Sequence, residues 1–292
     1  MSASPLEIAC RRAFSETCDP SAYVPREATE SVLAEIRAWA ESEALGSSVT
    51  ALIGTPGLGK TQILRVVESR INAAAAIAVA EGGLLAGRAT NARALYLPYA
   101  GLEMPDLAIW VHGLLGISLT DVVDFASPGV ALGALMKLGG GPSDPFFLII
   151  DDADSMPAGS VQALIAGLPR SGSPLRILLT LNHDSKATRL VGALHPFAPT
   201  EISFCERMSA EETADYLRSR MRWADFPGVE IARIDEAEAN RLHSLSAGVP
   251  QRVHELASAR FASAAAPRPN ALEEKQRRED WMGRPIGDDL EI

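Results

Sequence analysis

The 292-residue chain is 47% hydrophobic and 22% charged, a globular composition that excludes a disordered or fibrous protein and leaves room for one large core or two modest ones. Its 27 Lys+Arg against 37 Asp+Glu give a formal net charge of -10, spread evenly along the chain, which argues against a surface built mainly to hold nucleic acid or an anionic membrane. Cys10, Cys18, Cys205 and the five histidines lack metal-ligand spacing, so neither a zinc site nor a disulfide framework is expected, and free thiols point to a reducing, cytoplasmic compartment. No apolar run of signal-peptide length opens the chain. The least polar long stretch, Leu107–Thr120, is shorter than a membrane span and is interrupted by His112, Gly113 and Gly116.

Residues 1–47 form a leading segment in which Val32, Leu33, Ile36 and Trp39 recur at near-helical spacing, predicting a helix that enters the core. Over 48–204 short apolar runs alternate with helical periodicity, the pattern of a parallel sheet covered by helices. Val49–Ile53 is the first expected strand and Leu95–Leu97 the second. Leu107, Trp110, Val111, Leu114 and Leu115 then make one apolar helix stripe. Phe146–Ile150 and the run after Arg176 have no polar alternation, as expected of central strands buried on both faces, and Ile202–Phe204 ends the sheet. The stretch Gly139-Gly140-Gly141-Pro142 reads as a loop.

Beyond Phe204 only helical patterns remain, so 205–262 is expected to be a small all-helical lid. Ser209 with Glu212, and Asp235 with Glu238, have capping spacing. Gly248 can close the second lid helix in a left-handed conformation, and Pro250 can open the third. Residues 263–292 are rich in charge and proline and read as a polar, mobile tail.

The strongest chemical signal is Gly54-Thr55-Pro56-Gly57-Leu58-Gly59-Lys60-Thr61, followed by Gln62, a G-x-x-x-x-G-K-[ST] loop placed between a strand and a helix. Its glycines let successive backbone N–H groups turn toward phosphate oxygens at a helix N-terminus. Lys60, one of four lysines in the chain, is placed to reach the β and γ phosphates, and Thr61 to put its hydroxyl on Mg2+. Asp151 and Asp152 end the apolar run at 146–150, where open α/β sheets bind ligands. Asp151 is the candidate Mg2+ residue and Asp152 the candidate base that orients the attacking water. Aspartate reaches roughly 1–1.5 Å less far than glutamate, which predicts slow chemistry. Asp154 reads as a turn or capping residue. Asn182 ends the next strand and either hydrogen-bonds the nucleophilic water or γ-phosphate, the role called sensor 1, or simply starts a turn. If it is a sensor, its strand lies between those of the phosphate loop and Asp151.

The order GTPGLGKT, LYLPYAGLEMPDLAIWVHGLLG, FFLIIDDAD, LRILLTLNHD, MSAEETADYLRSRM and LSAGVPQRVHEL resembles the AAA+ ATPase domain of ExeA-type general secretion pathway proteins. The similarity covers about residues 8–262, and the domains of transposition helper ATPases such as MuB and TniB share the architecture. The resemblance implies a P-loop AAA+ core, a helical lid, ATP and Mg2+. It places Asp152 where the family usually has Glu, and it places Gln251 where a G-x-P-R motif would have the sensor 2 arginine, with Arg252 one position on. For an arginine finger it offers only Arg189 and, more weakly, Arg207. The expected function is an ATP-driven switch between core and lid that assembles with itself or a protein partner, secretion-pathway-like. A DNA-binding transposition helper and an ATP-binding scaffold with negligible turnover are the alternatives, the former disfavoured by the net charge.

Overall fold

The computed structural model describes residues 4–15, 18–42, 47–80, 92–117, 127–141, 144–169 and 172–265. Residues 118–120 of the apolar stretch, Pro142 of the glycine-rich loop, and 266–292 of the expected tail lie outside the described residues.

Among the described residues five strands form one all-parallel sheet in the order β2-β3-β4-β1-β5. They are β1 (Val49–Gly54), β2 (Arg93–Leu97), β3 (Phe146–Ile150), β4 (Leu175–Asn182) and β5 (Thr200–Phe204). β4 lies between β1 and β3, with Ile177 opposite both Val49 and Leu148. All five residues of β3 are buried, as are the first seven of β4, which is why neither strand alternates polar with apolar residues.

Period-two alternation sorts these side chains between two helical layers. Phe147, Ile149 and Leu178 face α2 (Glu27–Glu41) and α3 (Lys60–Ala80), joined by Leu33, Ile36, Trp39, Ile63 and Leu64. Leu148, Ile150, Ile177, Leu179 and Leu181 face the opposite layer. That layer consists of α4 (Met104–Leu114), α5 (Pro128–Met136), α6 (Ala158–Gly167) and α7 (Ser185–Leu194). Arg176 is buried at the start of β4 because its guanidinium closes the C-terminal end of α2, donating to the carbonyls of Trp39 at 2.6 Å and Ala40 at 3.1 Å. Among the described residues no helix is long and apolar enough to cross a membrane.

The lid comprises α8 (Ala210–Trp223), the short α9 (Gly228–Ala232), α10 (Glu236–Ser246) and α11 (Pro250–Ala265). Ser209 and Glu212 close a reciprocal capping box at α8, and the Asp235 side chain caps α10. After α10 the chain reverses through two left-handed residues, Ala247 and Gly248. A side chain at 248 would put its Cβ 2.1 Å from the Met208 carbonyl oxygen, so glycine is required there.

The leading segment divides between the two bodies. Its second helix, α2, joins the sheet as expected. Its first, α1 (Pro5–Phe14), packs Ala9, Cys10, Ala13 and Phe14 into the lid core against Leu217, Met221, Val253, Ala257 and Phe261. Arg220 of α8 fastens it by donating to the Ala13 carbonyl at 2.6 and 2.9 Å and to the Ala22 carbonyl at 3.0 Å.

The same core encloses His254, stacked on Tyr216 with ring centroids 5.6 Å apart and its Nε2 2.7 Å from the Tyr216 hydroxyl. Burial, and next the nearby Arg220 charge, push its pKa from 6.5 down to about 4. The unfolded chain therefore takes up this proton near pH 6.5 and the folded lid only near pH 4, so stability is lost as pH falls across that window. The linked loss is about 3 kcal/mol at full protonation. His254→Gln should flatten the melting temperature between pH 6.5 and 4 relative to the parent protein, as measured by calorimetry at a series of pH values.

Candidate active site at the carboxyl ends of the strands

β1 ends at Gly54 against β5, so closely that an added Cβ would stand 2.2 Å from the Phe204 carbonyl oxygen. Gly57 and Gly59 take φ values of 81° and 100°, the left-handed region that lets the backbone curl before α3 begins at Lys60. The unpaired N–H groups of that first turn, with the helix dipole behind them, make the loop a receptor for an anion. Leu58 points away into the core of α2 and α3, and the Gln62 side chain donates to the Asp19 carbonyl at 2.8 Å, tying the loop helix to the leading segment.

Lys60 is 7% exposed and directs its ammonium back into the loop. It donates to the Gly54 carbonyl at 2.9 Å, to Asn182 Oδ1 at 3.0 Å and more weakly to the Thr55 carbonyl at 3.4 Å. Burial holds its pKa below the usual lysine value, while Asp152, Asp151 and Asp154 pull it back up. These carbonyl contacts hold the cation where phosphate oxygens would be stronger acceptors.

Asp151 follows β3 and is buried. Its Oδ2 accepts from the Thr61 hydroxyl at 2.7 Å and the Tyr96 hydroxyl at 2.9 Å, and its Oδ1 accepts from the Thr180 hydroxyl and the Asp152 amide. Asp152 sits at φ 47°, a left-handed position that turns its carboxylate away from the sheet and leaves it exposed. Partial desolvation, and then Asp151, raise its pKa, with Lys60 acting in the opposite sense. Asp154 Oδ2 accepts from both the backbone N and the Nδ2 of Asn182, each at 2.9 Å. The amide of Asn182 is thereby oriented with its oxygen toward Lys60.

Lys60, Asn182 and Asp154 thus form one hydrogen-bonded set, and Thr61 and Asp151 with Thr180 and Tyr96 form a second, with Asp151 and Asp152 close enough to act on the Lys60 charge. The lid reaches the loop through Gln251, whose backbone N–H donates to the Gly57 carbonyl at 3.1 Å. A Cβ at 57 would meet Gln251 Oε1 at 2.8 Å. Arg252, about 100° further round α11, is exposed, because Val253 on the next position must face the lid core. Arg189 is exposed and bonds the Ser185 carbonyl in its own helix at 3.3 Å; Arg207 is exposed as well. Tyr96 and Thr180 were not singled out in the sequence. Thr180 carries a signal, since it lies two residues before Asn182 on the same strand face, whereas Tyr96 becomes visible only when β2 is known to adjoin β3.

An Mg2+ ion fits this donor set, a carboxylate and a hydroxyl beside a phosphate loop being hard oxygen ligands. No protein-family model matches the chain, and no curated protein is similar to it in sequence. Its fold is similar to that of the Aeropyrum pernix Orc1 protein, solved in complex with DNA, with a TM-score of 0.57 at 17% identity over 95% of this chain and 72% of that one. Cdc6p from Pyrobaculum aerophilum gives 0.52 at 17% identity over 81% and 65%. Hsp104, solved with ATPγS and casein, gives 0.53 at 21% identity over 92% of this chain and 41% of that chain. The chain shares with these structures an α/β fold, a parallel sheet between helical layers followed by a helical C-terminal region. The ExeA-type assignment remains a resemblance of sequence.

Thr180 both donates to Asp151 and accepts from the Asp152 amide at 3.0 Å. Thr180→Val keeps the shape and removes the hydroxyl donor from the buried Asp151 carboxylate, leaving its Oδ1 with the Asp152 amide alone, so urea unfolding should show a loss of about 1–3 kcal/mol, while Thr180→Ser should restore most of it.

Proposed function

We propose that this protein is an AAA+ ATPase that binds ATP with Mg2+, hydrolyses it slowly, and uses the state of the phosphate loop to set the lid against the core. The observation that carries this reading is the pair of contacts at the ends of β1, β3 and β4, Lys60 Nζ on Asn182 Oδ1 and Thr61 Oγ1 on the Asp151 carboxylate, with Asp151 and Asp152 near the Lys60 charge. The loop from Gly54 to Thr61 and the first turn of α3 hold the phosphates. Lys60 exchanges its carbonyl partners for β- and γ-phosphate oxygens. Thr61 and Asp151 would hold Mg2+, which when bound would neutralise charge on the phosphate oxygens. Asn182 Oδ1, freed by the movement of Lys60, accepts from the attacking water, and Asp152 takes its proton. Gln251 carries the change in the loop to α11 through its bond to Gly57.

The output is assembly with further copies or a protein partner, in the cytoplasm and on the secretion-like pattern. Arg189 is the weaker proposal for a finger reaching a neighbouring site, and Arg252 for a γ-phosphate sensor. Duplex DNA is the competing ligand, supported by the fold shared with Orc1 and opposed by the net charge of -10. Filter binding at two salt concentrations should show no specific retention of duplex DNA.

Lys60→Ala should abolish nucleotide binding in calorimetry or weaken it by several kcal/mol, the loss of charge-assisted bonds in a buried site. Asp152→Asn should retain nucleotide and slow phosphate release by about 10². The base must be deprotonated to act, so turnover should rise with pH through a limb displaced upward from the ordinary carboxylate range by the raised pKa of Asp152. That limb should disappear in Asp152→Asn. Asp152→Glu, longer by one methylene, should turn over faster than the parent.

A further inference from the structure

Asp151 offers about four acceptor positions, and all four are taken by donors of the chain. Thr61 and Tyr96 occupy Oδ2, while Thr180 and the Asp152 amide occupy Oδ1. A metal ion, or a water in its shell, can reach this carboxylate only by displacing one of them. Mg2+ keeps several waters when bound by a protein, so this competition applies even where the ion does not touch Asp151 directly.

The four donors are not equally able to leave. Thr180 is fully buried inside β4, and its hydroxyl also serves the Asp152 amide. The Asp152 donor is backbone, fixed by a left-handed residue next to a central strand. Thr61 can offer an oxygen lone pair to the metal while its proton still points at Asp151. Tyr96 differs from all three. It lies on β2 at the edge of the sheet, is half-buried, and its phenol reaches Asp151 from the side of α3. Its ring lies under the Arg65 guanidinium, 4.7 Å from the ring centroid, and its backbone amide is held at 3.0 Å by Glu68 Oε1. These contacts hold the main chain and cover one ring face, so the bond to Asp151 can open by rotation of the phenolic O–H or by a turn of the ring about χ1. Burial and the adjacent Asp151 raise the phenol pKa, so it stays protonated and acts as a donor rather than as an anionic ligand.

We propose that Tyr96 is a positioning residue that caps Asp151 and is displaced by the Mg2+ shell, so that its hydroxyl sets how much Mg2+ the site requires. The inference rests on the ATP and Mg2+ reading above and adds a regulatory element to that site. The nucleotide then binds in two separable stages: the phosphates engage the loop and Lys60, and the metal engages Thr61 and Asp151 only after the phenol has moved.

The test is a Mg2+ titration of fluorescent ADP binding to the full chain, starting from EDTA, in the parent protein and in Tyr96→Phe. The phenylalanine keeps the ring and its Arg65 contact and removes only the competing hydroxyl. Affinity in EDTA should be unchanged, and the Mg2+ concentration for half-maximal enhancement should fall about tenfold, the worth of one hydrogen bond to a charged group. In the parent protein the same titration should give a tyrosine absorption difference that Tyr96→Phe lacks, a readout that does not depend on the variant's stability. An unchanged or increased Mg2+ requirement in Tyr96→Phe, or no tyrosine difference in the parent, overturns the proposal while leaving the ATPase reading intact. Failure of the parent to bind ADP with or without Mg2+ overturns both.

Discussion

Asn182 can accept from Lys60 and donate to Asp154 at the same time because β4 is inserted between β1 and β3. Were β1 and β3 adjacent, no strand end would stand between them to carry Asn182 to Lys60. The insertion needs a strand that is apolar on both faces, and the seven buried residues from Leu175 to Leu181 satisfy that requirement. The site therefore depends on an interior strand with little freedom to slip, since a shift of one residue would send Leu178 to the wrong helical layer and remove Asn182 from Lys60.

Negative charge is in excess at this site. Three carboxylates, Asp151, Asp152 and Asp154, surround one buried ammonium, and each is given a different task by its hydrogen bonds. Asp151 is saturated by four donors and is the best held. Asp154 is committed to Asn182. Asp152, in a strained backbone conformation and with its carboxylate exposed, is the one left available for a proton. The division follows from burial and donor count, not from any difference in residue type.

Core and lid are coupled at few points, each of known chemistry. The Gln251 backbone N–H meets the Gly57 carbonyl, Arg26 pairs with Glu212 at 3.3 Å, and Arg220 holds the leading segment to α8. The Gln251 bond to the loop is backbone to backbone, so it transmits position and carries no charge to the phosphates. The packing of α1 into the lid means that the leading segment bridges both bodies, so a movement of α11 relative to the loop must also be accommodated between α1 and α2.

The sequence alone determined the α/β class and the five strands of the described residues, and it placed the glycine loop between strand and helix and the paired aspartates at a strand end, because each rests on a local pattern: an apolar run, a glycine spacing, a strand followed at once by carboxylates. Its capping signals at Ser209, Asp235, Gly248 and Pro250 were equally local, and the lid helices start or stop at them. Tertiary structure decided what depends on neighbours distant in the chain. The attachment of α1 to the lid required Phe14 to meet Phe261, 247 positions away, which no periodicity within α1 encodes. The commitment of Asp154 to Asn182, the capping of Asp151 by Tyr96 and the placement of Gln251 rather than Arg252 on the loop were likewise unavailable. A donor and acceptor on different strands or domains are matched only by sheet order and helix rotation, and these are settled by packing of the whole molecule.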